Sequence, residues 1–409
     1  MIKNALYNSL IILISSFVGV ILFLLLFEGV LTITDRGKPN PLFVTGDYGW
    51  STWAGSDHLS NEPHSSQVNQ FGFRGQPFNL ESPMNIILLG DSQVETSHKL
   101  SEMPERYLSD ALEKHIGFSP NVISMGSWGW GTDQQYLALK EHIDVIKPAY
   151  VVLWFTTNDY LDNARSVGFV GRKPTFWLQE GVLQGPTHEF LEKFEPEDTL
   201  KSIRVLRRKG LWLQSQNTEE WFYNKHVTPN YAEQITHECS TKAKALGNFD
   251  LARYFVNETR NGKDYTYFHE MIYGEKGGLR LGTEAGIFGK YSNPRPNWLE
   301  YQKKLTQVLL KKIKTLVESH GSKFLVLYPK VPDKLFSSPV TFCDDNRGEI
   351  SYDEFFLQDL IDETLQGIEH LYVDGLPVVH KDTFDGHFND RANRHIMKKV
   401  AEFIAKELD

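Results

Sequence analysis

The chain is poor in cysteine. It holds two cysteines, Cys239 and Cys343, and no CxxC, HExxH or Cys/His cluster. That spacing gives zinc no ligand set. Outside the cytoplasm the pair could close one disulfide, and two separate thiols are the equal alternative. Asp344-x-Asn346-x-Gly348 shares part of a calcium-loop pattern. Its turn glycine is misplaced and its fifth position lacks a carboxylate, so no calcium is expected there. Basic residues are also short: 43 Lys and Arg against 52 Asp and Glu, a net charge of −9. This argues against nucleic acid as the main partner, because phosphate binding needs a basic surface. No internal repeat is present, and no second long apolar run follows Leu31. What remains is a globular composition, 41% hydrophobic and 23% charged over 409 residues. That length suits one large domain or two small ones.

The N-terminus stands apart. From Ala5 to Phe27 no residue is charged, and Ile11 to Ile14 and Val18 to Phe27 are almost wholly apolar. About 20 such residues span a bilayer as a helix. A cleaved signal peptide would carry a shorter apolar core and a small-x-small site. Here the run leads into Phe27-Glu28-Gly29-Val30-Leu31 without one. The expectation is an uncleaved anchor over residues 1–31 that contacts the membrane through 5–27. The short flank carrying Lys3 stays inside and the body lies outside the cytoplasm. Residues 32–84, rich in Gly, Pro, Asn and Ser, read as a polar linker and lead-in.

From residue 85 strands and helices alternate. Short apolar runs at 85–89, 121–124, 150–155, 323–328 and 371–373 read as strands, several buried on both faces. Helical patterns fall at 104–116, opened by Pro104, at 132–146, at 297–320, stopped by Gly321, at 353–367 and at 390–408. Thr132 to Gln135 has the form of a T-x-x-Q capping box. Residues 163–295 break the alternation and read as an insertion or cap. Such alternation predicts a parallel sheet with helices on both faces, with ligands bound beyond the carboxyl ends of the strands.

Three distant segments carry reactive groups. Gly90-Asp91-Ser92 and Thr156-Thr157-Asn158-Asp159 directly follow strands, and Asp385-Gly386-His387 directly precedes the last helix. Together they supply a hydroxyl, an amide donor, an imidazole and an acid, the set that acyl transfer to or from oxygen needs. Taken singly, each has a plainer reading. Ser92 could cap a helix, Asn158 could serve a turn, and His387 could be a surface or core histidine. Trp128 and Trp130 could stack on a sugar ring or pack beneath their loop. Residue 94 is Val, so Ser92 does not lie in a G-x-S-x-G elbow.

In order, Gly90-Asp91-Ser92, Met125-Gly126-Ser127-Trp128-Gly129-Trp130-Gly131-Thr132, Thr157-Asn158-Asp159 and Asp385-Gly386-His387 resemble the four blocks of the SGNH (GDSL-type) hydrolases. The likeness covers 85–160 and 322–409, about half of the chain. It implies a three-layer, flavodoxin-like α/β fold over 85–409. It implies Ser92 as nucleophile, His387 as base, Asp385 as its acid, and Gly129 and Asn158 as oxyanion donors, with Gly131 the next-best glycine. No metal or organic cofactor is implied. The usual last block is D-x-x-H; here it is D-x-H with Phe384 between Thr383 and Asp385, which keeps Asp382 as a rival acid. The resemblance further implies an esterase or O-acyltransferase for short acyl, chiefly acetyl, esters of a cell-surface carbohydrate. A lipid esterase or lysophospholipase is the alternative, and a non-catalytic glycan-binding module is the rival from another class.

Overall fold

A computed structural model describes residues 2–33, 44–51, 68–78, 82–96, 99–166, 173–187, 244–245, 290–295, 297–330, 340–344, 348–374 and 387–408. The chain opens with helix α1 (Ile2–Ile33). A small hairpin follows, β1 (Val44–Gly46) and β2 (Gly49–Ser51). The alternating body comprises β3 (Asn85–Gly90), α2 (Ser92–Glu95), α3 (Pro104–Ile116), β4 (Asn121–Gly126), α4 (Thr132–Ile146), β5 (Tyr150–Trp154) and α5 (Asp159–Ala164). Next come a hairpin of β6 (Thr175–Gln179) and β7 (Val182–Thr187), then β8 (Lys244–Ala245), β9 (Ser292–Asn293) and α6 (Asn297–Ser319). The chain closes with β10 (Lys323–Pro329), β11 (Val340–Asp344), β12 (Gly348–Tyr352), α7 (Glu354–Thr364), β13 (His370–Val373) and α8 (Asp390–Leu408).

Five strands form the main sheet in the order β4-β3-β5-β10-β13, every pair parallel. This is the 2-1-3-4-5 order of flavodoxin-like folds, in which the strand order reverses between the first and third strands. Here that reversal lies between β3 and β5. Ser92 and Asn158 follow those two strands.

Each strand alternates between two apolar layers, which is why the strands read as continuous apolar runs. Ile87, Leu89, Val151, Leu153 and Val326 pack with Ile143 of α4, Ile313 of α6 and Leu360 of α7. Ile86, Leu88, Val152, Trp154 and Leu327 face the other way, onto Leu112 of α3 and Ile396 and Val400 of α8. Burying each such side chain contributes about 1.5–3 kcal/mol. The helix ends follow local chemistry. Pro104 opens α3. After α6, Gly321 takes φ +73° while the Ser322 N–H returns to the Val317 carbonyl at 3.2 Å.

Two expectations are modified. The T-x-x-Q box does not form: Gly131 is the N-cap of α4, and the Thr132 hydroxyl turns to Asp159 Oδ2 at 3.2 Å. The lead-in is not a spacer along its whole length. Tyr48, Trp50 and Phe73 sit in the core beside Trp130 and Ile143. Phe176, in the insertion, packs with Leu178 onto Tyr301 and Leu305 of α6 and belongs to a core. Most of the remaining insertion, with Trp212, Trp221 and Cys239, lies outside the described residues.

Side chains of α1 are described only over its second part, from Ser15 onward, and among the described residues no helix is long and apolar enough to cross a membrane. Within that part, Val20 through Leu26 are all exposed. Seven consecutive residues cover every side of a helix.

Candidate active site

The turn that carries Ser92 is built by Asp91. β3 ends at Gly90, and Asp91, nearly fully buried, caps the four-residue α2 by accepting the Gln93 N–H at 2.8 Å. Ser92 is therefore the first helical residue and not the cap, which leaves its hydroxyl at the end of the strand, half-buried. The other carboxylate oxygen of Asp91 accepts from the Thr156 hydroxyl at 2.8 Å and from Asn158 Nδ2 at 3.0 Å. One buried acid thus ties the end of β3 to the segment that follows β5. The far end of α2 is held from the lead-in: Arg74 Nη1 donates to the carbonyls of Glu95 at 2.9 Å and Thr96 at 2.8 Å. Thr96 sits at φ +37°, a conformation that such donors stabilise.

The second turn follows β4. Gly126 passes so close to the Asp91–Ser92 turn that a Cβ there would stand 2.9 Å from the Asp91 carbonyl. The Trp130 N–H then returns to the Ser127 carbonyl at 3.2 Å. Gly129, the third residue of this four-residue turn, takes φ +69°, whereas Trp128 has no positive φ. That combination defines a type II turn, whose third position favours glycine. Outside the turn, the Trp128 N–H donates to Glu95 Oε2 at 2.7 Å and the Trp128 carbonyl accepts from Trp50 Nε1 at 2.8 Å.

Asn158 opens α5, and its side-chain amide donates to Asp91 Oδ2 and to Asp162 Oδ2, both at 3.0 Å. Both amide hydrogens are engaged in this arrangement. Asp159 is fully buried, accepts from Thr132, and is pushed well above the usual carboxylate range by burial and by the neighbouring acids Asp91 and Asp162. Burial likewise raises Asp162, to about 6.

His387 is brought to the same edge from the far end of the chain. It is 7% exposed, and its ring lies 5.8 Å, centroid to centroid, from that of Trp128. The next residue is tied to the turn that carries Ser92: the Phe388 N–H donates to Gln93 Oε1 at 3.2 Å. Asp385, Gly386 and the rival acid Asp382 lie outside the described residues.

The two tryptophans separate. Trp128 is half-buried and faces His387. Trp130 is fully buried, edge-on to Tyr48 and Phe73, and its Nε1 donates to the Trp50 carbonyl at 2.9 Å. Its ring has no open face for a sugar, so of the two sequence readings the packing one holds for Trp130.

Four participants escaped the sequence reading. Trp50 and Arg74 come from the presumed linker. Glu95 lies one turn beyond Ser92, and burial lifts its carboxyl to about 7 despite the Arg74 guanidinium nearby. Lys290, at the end of the insertion, donates to Thr157 Oγ1 at 2.8 Å. Only Glu95 left a sequence signal, its three-residue spacing from Ser92. Behind the turn, Lys173 and Asp133 form a fully buried ion pair, with the Asp133 N–H donating to Asn163 Oδ1 at 3.0 Å.

No curated protein matches the chain. Residues 86–202 match the GDSL-like lipase/acylhydrolase family. That stretch contains Ser92, Gly129 and Asn158 and ends before His387. The chain therefore carries a GDSL-like lipase/acylhydrolase domain, that of a serine ester hydrolase.

Proposed function

We propose that the protein is a membrane-anchored serine esterase or O-acyltransferase that works outside the cytoplasm on short acyl, chiefly acetyl, esters of a carbohydrate. One observation carries the catalytic part. The turns bearing Ser92, Gly129 and Asn158 follow three adjacent strands, and His387–Phe388 is hydrogen-bonded back to the residue after Ser92. His387 removes the Ser92 proton, and Ser92 Oγ bonds to the ester carbonyl carbon. The oxyanion is met by the Ser92 and Gly129 N–H groups and by Asn158, which turns one amide hydrogen away from Asp162 to do so. The carbon–alkoxide bond then breaks and the alkoxide takes the proton from His387. Water or a sugar hydroxyl repeats the steps on the acyl-enzyme, with Asp385 orienting the imidazole.

Carbohydrate specificity rests on the half-buried Trp128 ring beside His387, a platform for a polar ring with apolar faces. The anchor rests on α1. A helix apolar on every side needs an apolar surround, and the exposed Val20 to Leu26 side chains fit one.

A serine-directed phosphonate should label the wild type and not Ser92→Ala; equal labelling of both proteins would remove Ser92 from the mechanism. Turnover of acetyl over twelve-carbon nitrophenyl esters supports the short-acyl assignment, and the reverse order moves it to lipid. Membrane retention after carbonate extraction tests the anchor, and cleavage of the body by external protease in spheroplasts tests its side.

A further inference from the structure

Trp50 lies on a two-residue-turn hairpin far from Ser92 in sequence, yet it is bonded to both sides of Gly129. Its indole Nε1 donates to the Trp128 carbonyl at 2.8 Å, and its own carbonyl accepts from Trp130 Nε1 at 2.9 Å. The Trp128 carbonyl and the Gly129 N–H belong to one peptide unit. In a trans peptide they point in opposite directions. The bond that draws the carbonyl toward Trp50 therefore turns the Gly129 N–H away from it.

Turn type makes this bond consequential. Type I and type II turns place their end residues alike and differ by reversal of the central peptide. In the turn from Ser127 to Trp130, that central peptide joins Trp128 to Gly129. Glycine at the third position tolerates both conformers, so the sequence of the turn does not choose between them. The adjoining peptide is held separately, by Glu95 Oε2 on the Trp128 N–H at 2.7 Å.

We infer that Trp50 is a positioning residue for ester hydrolysis: its indole N–H holds the Trp128–Gly129 peptide in the type II orientation that presents the Gly129 N–H to the oxyanion. The inference rests on the proposed role of Gly129 as an oxyanion donor. A carbonyl that accepts a hydrogen bond also polarises its own N–H, so the same bond makes the donor stronger. Loss of the indole N–H leaves the turn free to reverse. The effect belongs to the transition state, where the oxyanion exists, and not to the bound ester.

The test uses the full-length protein and two replacements of Trp50. Trp50→Phe keeps an aromatic ring. Replacing the Trp50 side chain by benzothienylalanine keeps the bicyclic shape and puts sulfur where the N–H was, which preserves the fold if Phe does not. Removal of one oxyanion donor costs about 10²–10³ in kcat. A donor left free to reverse should cost roughly tenfold or more, with KM unchanged. Affinity for butylboronic acid, whose serine adduct places an oxygen in the oxyanion position, should fall by the same factor. Phe73→Leu, in the same core cluster, controls for packing: it should lower the melting temperature and leave kcat and boronate affinity alone. Wild-type kcat and boronate affinity in the benzothienyl protein would overturn the inference while leaving the esterase reading intact. Equal losses in Phe73→Leu would overturn it in favour of packing. A wild type that turns over no ester and takes no phosphonate would overturn the esterase reading and this inference together.

Discussion

Replacing Glu95 by Gln should make the protein progressively more stable than wild type as pH rises from 4.5 to about 7, and less active above about neutral pH. The carboxyl is buried and faces the Trp128 N–H, the Arg74 guanidinium, the Ser127 hydroxyl and the Asp91 carboxylate. Desolvation outweighs the three favourable partners, Trp128, Arg74 and Ser127, and holds it near 7, against an ordinary value of 4.5. Below 4.5 both folded and unfolded chains carry the proton, so the group is neutral to stability. Between 4.5 and 7 the unfolded chain releases the proton and the folded one keeps it. Stability therefore falls with rising pH across that window and stays lower beyond it. At 1.36 kcal/mol for each tenfold change in proton concentration between pH 4.5 and about 7, the loss is about 3 kcal/mol. Gln does not titrate. The difference in unfolding free energy between Glu95→Gln and wild type should therefore grow by about 3 kcal/mol from pH 4.5 to pH 8, as read from urea unfolding followed by tryptophan fluorescence. Activity runs the other way. The ionised carboxylate is the stronger acceptor for the Trp128 N–H by about 1 kcal/mol, and the variant should lose about fivefold in kcat/KM at pH 8. That deficit should vanish near pH 6, where the wild-type carboxyl is itself protonated. A stability difference that is constant with pH would refute the argument, since it would mean that Arg74 keeps Glu95 ionised throughout.

Gly129→Ala should lower kcat at least tenfold in ester turnover, because φ +69° costs an L-residue roughly 1–2 kcal/mol and pushes the turn toward its reversed form. Asp91→Ala removes the cap of α2 and the acceptor shared by Thr156 and Asn158; a stability loss of about 2 kcal/mol or more by thermal or chemical unfolding, together with loss of turnover, is expected. Glu105, buried with neither carboxylate oxygen hydrogen-bonded among the described residues, is held near 8 by desolvation. Glu105→Gln should consequently gain stability relative to wild type as pH rises from 4.5 to 8 and leave kcat unchanged, measured in the same unfolding and turnover assays.

The sheet was legible because its strands are buried on both faces. Ile86 to Leu89 and Val151 to Leu153 alternate between two apolar layers, so each run is apolar throughout and its length marks a strand. Helices α3, α4, α6 and α8 were legible from one-sided apolar patterns and from local stops such as Gly321. The capping box misled because its pattern is satisfied locally on paper, whereas Thr132 is claimed by the tertiary partner Asp159. The lead-in misled for a related reason. Gly, Pro, Asn and Ser set its average character, yet single large residues, Trp50 and Phe73, do the packing. Composition averages over a segment and does not register one buried ring.

The site divides along the same line. Ser92, Asn158 and His387 could be proposed from sequence because chemistry restricts residue type at positions next to strand ends and helix starts, and such positions can be located from periodicity. The groups that orient them could not be found that way. Trp50 reaches Trp128 across 78 positions, Arg74 reaches Glu95 across 21, and Gln93 reaches Phe388 across 295. In two of these three bonds one partner is a backbone carbonyl, and in the third it is a backbone N–H. Any residue type supplies those groups, so no pairing rule marks them in a sequence. A turn whose central peptide can face either way is thereby set from a distant part of the chain. On the proposed mechanism, the lead-in and the segment that enters the last helix therefore take part in orienting the turns that carry Ser92 and Gly129.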